Sequence, residues 1–102
     1  MTDVNTLQLR GDFFDAISAE RGRQDEKWGY PQNNTFAEWG SYLAEECGEA
    51  VQQLNDLNIG VGDEDKLREE LIQTAAMCLS ILEQLERTQL VTETLRQIRT
   101  SN

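Results

Sequence analysis

Thr35-Phe36-Ala37-Glu38-Trp39-Gly40-Ser41-Tyr42-Leu43-Ala44-Glu45-Glu46-Cys47-Gly48-Glu49-Ala50-Val51-Gln52-Gln53-Leu54-Asn55-Asp56-Leu57 reads as one amphipathic helix. Its start is chemically marked. Thr35 followed three residues later by Glu38 is a capping box, in which each side chain satisfies the other residue's backbone amide. From there Phe36, Trp39, Leu43, Cys47, Ala50, Leu54 and Leu57 recur at gaps of 3, 4, 4, 3, 4 and 3. Such spacing keeps the apolar residues on one stripe and predicts a bundle seam that runs to about Leu57.

Outward from this helix, punctuation is sparse. Trp28-Gly29-Tyr30-Pro31-Gln32-Asn33-Asn34 breaks the chain before it, and Asn58-Ile59-Gly60-Val61-Gly62-Asp63 breaks it after. The first helix is expected from about Asn5 to about Lys27, with Leu9, Phe13, Ile17 and Phe14 toward the core and a polar, solvated C-terminal half. A third helix starts after Asp63, an N-cap residue followed by Glu64 and Asp65 in the first turn, where the helix dipole favours negative charge. It is expected to reach about Arg87. Between Leu71 and Leu82 only Gln73, Thr74 and Ser80 are polar, the composition of a helix surrounded by protein. One short chain has too little mass to surround it, so a second subunit is expected on its outer face. A fourth, shorter helix from about Leu90 to about Arg99, with Val91, Leu95 and Ile98 on one side, is expected to close the bundle.

No stretch sustains period-two alternation of β-branched residues, so strands have no support. The expected fold is all-α: a single domain over residues 1–102, an antiparallel bundle of three long helices plus a shorter C-terminal one, completed by assembly into a homodimer or homotetramer. Cys47 and Cys78, 31 positions apart, both fall on apolar stripes and read as buried, reduced thiols.

The chain has 102 residues, 9 Lys plus Arg against 19 Asp plus Glu, and no His. Without an imidazole, Ser-His-Asp and Cys-His mechanisms and His-ligated zinc are excluded, and acid–base work falls to carboxylates. A net charge of −10 argues against duplex nucleic acid, whose binding needs patches of Lys and Arg. No apolar run is long enough for a bilayer, and the first ten residues carry no secretory pattern, so no membrane partner and a cytoplasmic location are expected. A free nucleotide stays open, because divalent cations bridge carboxylates to phosphate oxygens.

Two acidic clusters lie beside apolar stripes. At about 100° per residue, Glu46 and Glu49 both flank Leu43, while Glu70 and Gln73 share one side of the third helix and Glu69 points away. The short connection between the two helices favours an antiparallel pair, which sets Glu46-x-x-Glu49 opposite Glu70-x-x-Gln73. An acidic chain carries acidic helix faces for solvation alone; two ledges facing one another beside a seam are more specific. Like charges that converge raise one another's pKa, and an all-oxygen donor set suits a hard ion such as Mg²⁺, or Mn²⁺ in its place.

Glu45-Glu46-Cys47-Gly48-Glu49, separated by 20 residues from Glu70, resembles the all-α nucleoside triphosphate pyrophosphohydrolases of the MazG-like group, whose pattern is Glu-x-x-Glu, a gap, then Glu-x-x-Asp. Arg23-Gln24-Asp25-Glu26-Lys27-Trp28-Gly29 is similar to first-helix segments of small members, and the likeness spans roughly Phe13 to Arg87. The resemblance implies a helical fold and Mg²⁺-dependent cleavage of a nucleoside triphosphate to a monophosphate and pyrophosphate. It implies Glu46, Glu49 and Glu70 as metal ligands, with Gln73 standing where the pattern has Asp. A neutral amide oxygen coordinates Mg²⁺ but supplies no charge, which lowers metal affinity or the number of ions held.

On this reading Glu46 or Glu45 accepts the proton of the attacking water. Arg21, Arg23 and Lys27 either steady phosphate oxygens or are ordinary surface charge. Trp28, beside a polar break, is the candidate for stacking on a nucleobase, with Trp39 as its competitor or a core residue, and Gln24 and Asn34 as base-edge partners. Gln73 also keeps open a second class of function, a noncatalytic acidic helical module that binds a protein partner or a nucleotide without turnover.

Overall fold

In the computed structural model, which describes residues 2–101, the chain forms three helices: α1 (Val4–Trp28), α2 (Phe36–Asn58) and α3 (Glu64–Thr100). No strand occurs among the described residues. Asp3 caps α1 by accepting from the Thr6 amide at 2.7 Å. The capping box forms as expected: the Glu38 amide donates to Thr35 Oγ1 at 3.1 Å and the Thr35 amide to Glu38 Oε1 at 3.0 Å. Asp63 caps α3, accepting from Asp65 and Lys66. α1 stops at Gly29, whose φ of +86° is one that side-chain-bearing residues rarely adopt.

α3 is the hub. Both α1 and α2 pack on it, with no direct packing between them among the described residues. Trp39 near the start of α2 reaches Gln84 of α3, whereas Glu46 and Glu49 in its middle face Glu70, so α2 and α3 run antiparallel. Their connection, Ile59–Asp63, turns tightly: a Cβ at Gly62 would fall 2.7 Å from the Leu57 backbone nitrogen.

Four expectations are corrected. Residues 64–100 form one continuous α3 rather than a third and a fourth helix, and every residue from Thr88 to Thr100 is exposed, so this segment extends beyond the bundle instead of closing it. Nothing between Arg87 and Leu90 breaks a helix; what changes there is only the phase of the apolar face. The seam of α2 is rotated: its covered positions are Trp39, Leu43, Glu46, Ala50, Gln53, Asp56 and Leu57, while Phe36, Cys47 and Leu54 are exposed. Cys47 and Cys78 are accordingly free and exposed rather than buried. On α1, Leu9, Phe13 and Phe14 are exposed and Ile17 is half-buried, whereas Arg21 and Gln24, in the half expected to be solvated, are 6% and 5% exposed.

The buried apolar core is correspondingly small, Trp39, Ala50 and Ala76. Leu71, Leu79, Leu82 and Leu85 on α3 and Val51 and Leu54 on α2 stay exposed. The accessible surface is 7706 Å², against about 5,800 Å² for a compact folded chain of this mass. The radius of gyration is 17.9 Å, against about 13 Å for a compact domain of this length. No helix among the described residues is long and apolar enough to cross a membrane.

Candidate active site

Where α2 crosses α3, Glu46, Glu49 and Glu70 converge: one carboxylate oxygen of each lies within 4.8 Å of the others. Three turns of antiparallel packing accomplish this. Trp39 and Ala50 of α2 and Ala76 and Ser80 of α3 are buried, and the covered positions between Trp39 and Ala50 are Leu43 and Glu46. A carboxylate therefore sits on the seam itself, not merely beside it.

The cluster is electrostatically costly. Burial pushes the Glu46 carboxyl above the usual carboxylate range, and the charges of Glu49, Glu45 and Glu20 add to the shift. Glu70 is also raised, first by burial, then by a hydrogen bond to Glu49 that its protonated form makes, and by the charges of Glu49 and Glu46; Lys66 opposes this. Oε2 of Glu46 and Oε2 of Glu70 are buried without a hydrogen-bond partner. Two orphaned acceptors of one sign, in an all-carboxylate set with no sulfur or imidazole, fit a hard divalent cation in chemistry and in charge.

Gln73 is half-buried on the same helix as Glu70. Its amide donates to Glu69 on its own helix at 3.3 Å. Glu20 is the group that periodicity did not find: it stands on α1, is largely covered, and accepts from Arg23 at 2.8 Å while adding negative potential at Glu46. Only the packing of a third helix brings it there.

A cavity of about 560 Å³ adjoins the cluster, lined by Trp28, Pro31, Gln32, Asn33, Asn34, Trp39, Tyr42, Glu45, Glu46 and Met77. Glu46 belongs to both. The volume lies within the range of small-molecule sites. Trp28 is 56% exposed on its rim, and Trp39, 4% exposed, is at once core and wall, set edge-to-face with Tyr42 at 6.3 Å. Comparison with protein-family models, with curated proteins and with solved structures finds no match to this chain.

The structure brings Trp28, Asn34, Glu45 and Glu46 to this cavity and leaves the other predicted ligand-binding residues outside it. Gln24 is buried in the α1–α3 seam, where its Oε1 lies 3.5 Å from Arg21 Nη1. Arg21 is committed to Glu83 and Asp25, Arg23 to Glu20, and Lys27 lies over the Trp28 ring at 4.9 Å. Gln84, with no place in a pattern of apolar spacing, holds both Asn34 and the Trp39 indole.

Proposed function

We propose that this protein is a cytoplasmic, Mg²⁺-dependent nucleoside triphosphate pyrophosphohydrolase of the MazG-like kind, cleaving NTP or dNTP to the monophosphate and pyrophosphate. One observation carries the reading: three carboxylates from two helices meet within 4.8 Å, and one of them, Glu46, also forms the wall of a cavity with two tryptophans and a tyrosine. Charged phosphates and a flat base need those two environments side by side.

Glu46, Glu49 and Glu70 would hold the ion, which when bound neutralises the triphosphate and polarises it for attack. Trp28 stacks on the base at the open end. Glu45 lines the cavity without joining the cluster, so it is the better placed of the two candidate bases to take the proton of the attacking water. A water oxygen then bonds to a phosphorus of the α–β anhydride, and the bond from that phosphorus to the bridging oxygen breaks.

Pyrophosphate release over a panel of natural and modified nucleoside triphosphates tests this. Wild type should release pyrophosphate only with Mg²⁺ or Mn²⁺, and Glu49→Gln should lose that release. Gln73, a neutral amide that donates to Glu69, favours a second reading, a noncatalytic module; neither release nor nucleotide binding by wild type would select it.

The second copy belongs to the same proposal. The surface in excess of a compact monomer, about 1,900 Å² per chain, exceeds the roughly 800 Å² that each partner gives to a standard interface, and the exposed Leu71, Leu82, Leu85, Val51 and Leu54 supply apolar area for it. Sedimentation should return two or four times the 11.6 kDa of one chain. A monomeric mass at micromolar concentration would remove this part of the proposal.

A further inference from the structure

The α1–α2 connection has no regular secondary structure, yet Pro31, Gln32, Asn33 and Asn34 form much of the cavity wall. Such a segment keeps one shape only when its backbone polar groups are engaged. Gln84 engages them. Its Oε1 accepts from the Asn34 amide at 3.0 Å and from Trp39 Nε1 at 2.9 Å, and its Nε2 donates to the Asn34 carbonyl at 2.9 Å. A glutamine amide offers two acceptor lone pairs and two donor hydrogens. Three of these four are used, and they reach two different walls. One turn further along α3, Arg87 donates to the Gln32 carbonyl at 3.1 Å and lies over the Tyr30 ring at 5.4 Å.

We infer that Gln84 is a positioning residue for substrate. By holding Asn34 and Trp39 in one frame it sets the shape of the cavity, and through that shape the affinity for the base and the choice among bases. Turnover belongs instead to the carboxylates of Glu46, Glu49 and Glu70. The inference rests on the nucleotide reading of the cavity. Neither side chain of similar length fills this role: glutamate keeps the two accepted bonds but has no hydrogen for the Asn34 carbonyl, and methionine leaves three buried or half-buried groups unpaired.

The test compares wild type with Gln84→Met and Gln84→Glu in steady-state pyrophosphate release on one purine and one pyrimidine triphosphate, and in melting with and without Mg²⁺. In Gln84→Met, KM should rise about tenfold or more, as expected for unpaired polar groups. The kcat should stay within a few-fold, the ratio of kcat/KM between the two bases should collapse toward one, and the Mg²⁺-dependent melting shift should persist. Gln84→Glu should show a smaller rise in KM, and it carries the test alone if Gln84→Met does not fold. A purely structural role would lower the active fraction, and so kcat, with KM and base preference unchanged; that result overturns the inference. If wild type itself neither binds nor cleaves any nucleotide, the reading of the cavity falls and the inference with it, a failure seen in wild type rather than in the variants.

Discussion

Replacing Glu49 by Gln is expected to stabilise the metal-free protein and, in the same variant, to abolish stabilisation by Mg²⁺. Three carboxylates with oxygens within 4.8 Å repel one another, and two of them carry buried, unpartnered oxygens. Removing one charge therefore relieves the folded state, and the metal-free melting temperature should rise. In wild type, millimolar Mg²⁺ should do the same by binding only the folded chain. At a concentration one hundred times its dissociation constant, an ion contributes about 2.7 kcal/mol, which for a domain of this size is roughly 10 °C or more. Acid acts in the same direction as the ion. Because the carboxyls of Glu46 and Glu70 are raised, their stabilising contribution is present below the ordinary carboxylate range and is lost as pH rises through the elevated values. Differential scanning fluorimetry with and without Mg²⁺ reads every arm. Identical wild-type curves in both conditions, or a fall in metal-free melting temperature for Glu49→Gln, would sink the site.

The second large effect is expected at the junction of α1 with α3. Arg21 donates to both oxygens of Glu83, at 2.9 and 3.1 Å, and to Asp25 at 2.8 Å. With Leu9, Phe13 and Phe14 exposed, this polar joint does much of the work of seating α1. Removing one partner of a fully buried pair costs about 3–5 kcal/mol. The side chain of Glu83 is 39% exposed, so the figure is discounted for solvent screening to about 2 kcal/mol. Glu83→Ala should therefore lower the melting temperature by roughly 10 °C. Arg21→Met should cost less, because the carboxylates it strands turn to water more easily than the guanidinium, whose side chain is 8% exposed.

The same pair predicts a pH dependence of opposite sign to that of the cluster. The hydrogen bond from Arg21 holds the Glu83 carboxyl below its usual range. Its stabilisation is present above the unfolded value and is lost as pH falls through the depressed folded one, so Glu83→Gln should flatten the acid limb of the stability curve below about pH 4.3. A double variant, Arg21→Met with Glu83→Leu, should recover part of the loss; recovery of none would point to damage other than a stranded charge.

Local chemistry and periodicity carried much of the description. Thr35 with Glu38, and Asp63, fixed two helix starts, and the 100° rotation per residue placed Glu46, Glu49 and Glu70 on facing ledges. Apolar spacing alone set the seam of α2 slightly off, because it followed Cys47 and Leu54 where packing follows Glu46 and Gln53. A stripe of apolar residues marks burial somewhere without saying against which surface, and here much of it faces outward. The polar joints could not be read at all: Arg21 meets Glu83 across 62 positions and Gln84 meets Asn34 across 50. Glutamine and arginine on a helix carry no periodic signature of their tertiary partners. The Gln73 amide donates to Glu69, a choice of neighbour that spacing does not decide.

The stretch of α3 beyond Arg87 has one more consequence. Helices of about a dozen residues are marginal in water, and every residue from Thr88 to Thr100 is exposed. In dilute solution its backbone amides would trade their hydrogens with deuterated water almost freely, as frayed ends do. Slowed isotope uptake confined to that overhang would make it a built-in gauge of when, and against what, this helix end finds shelter.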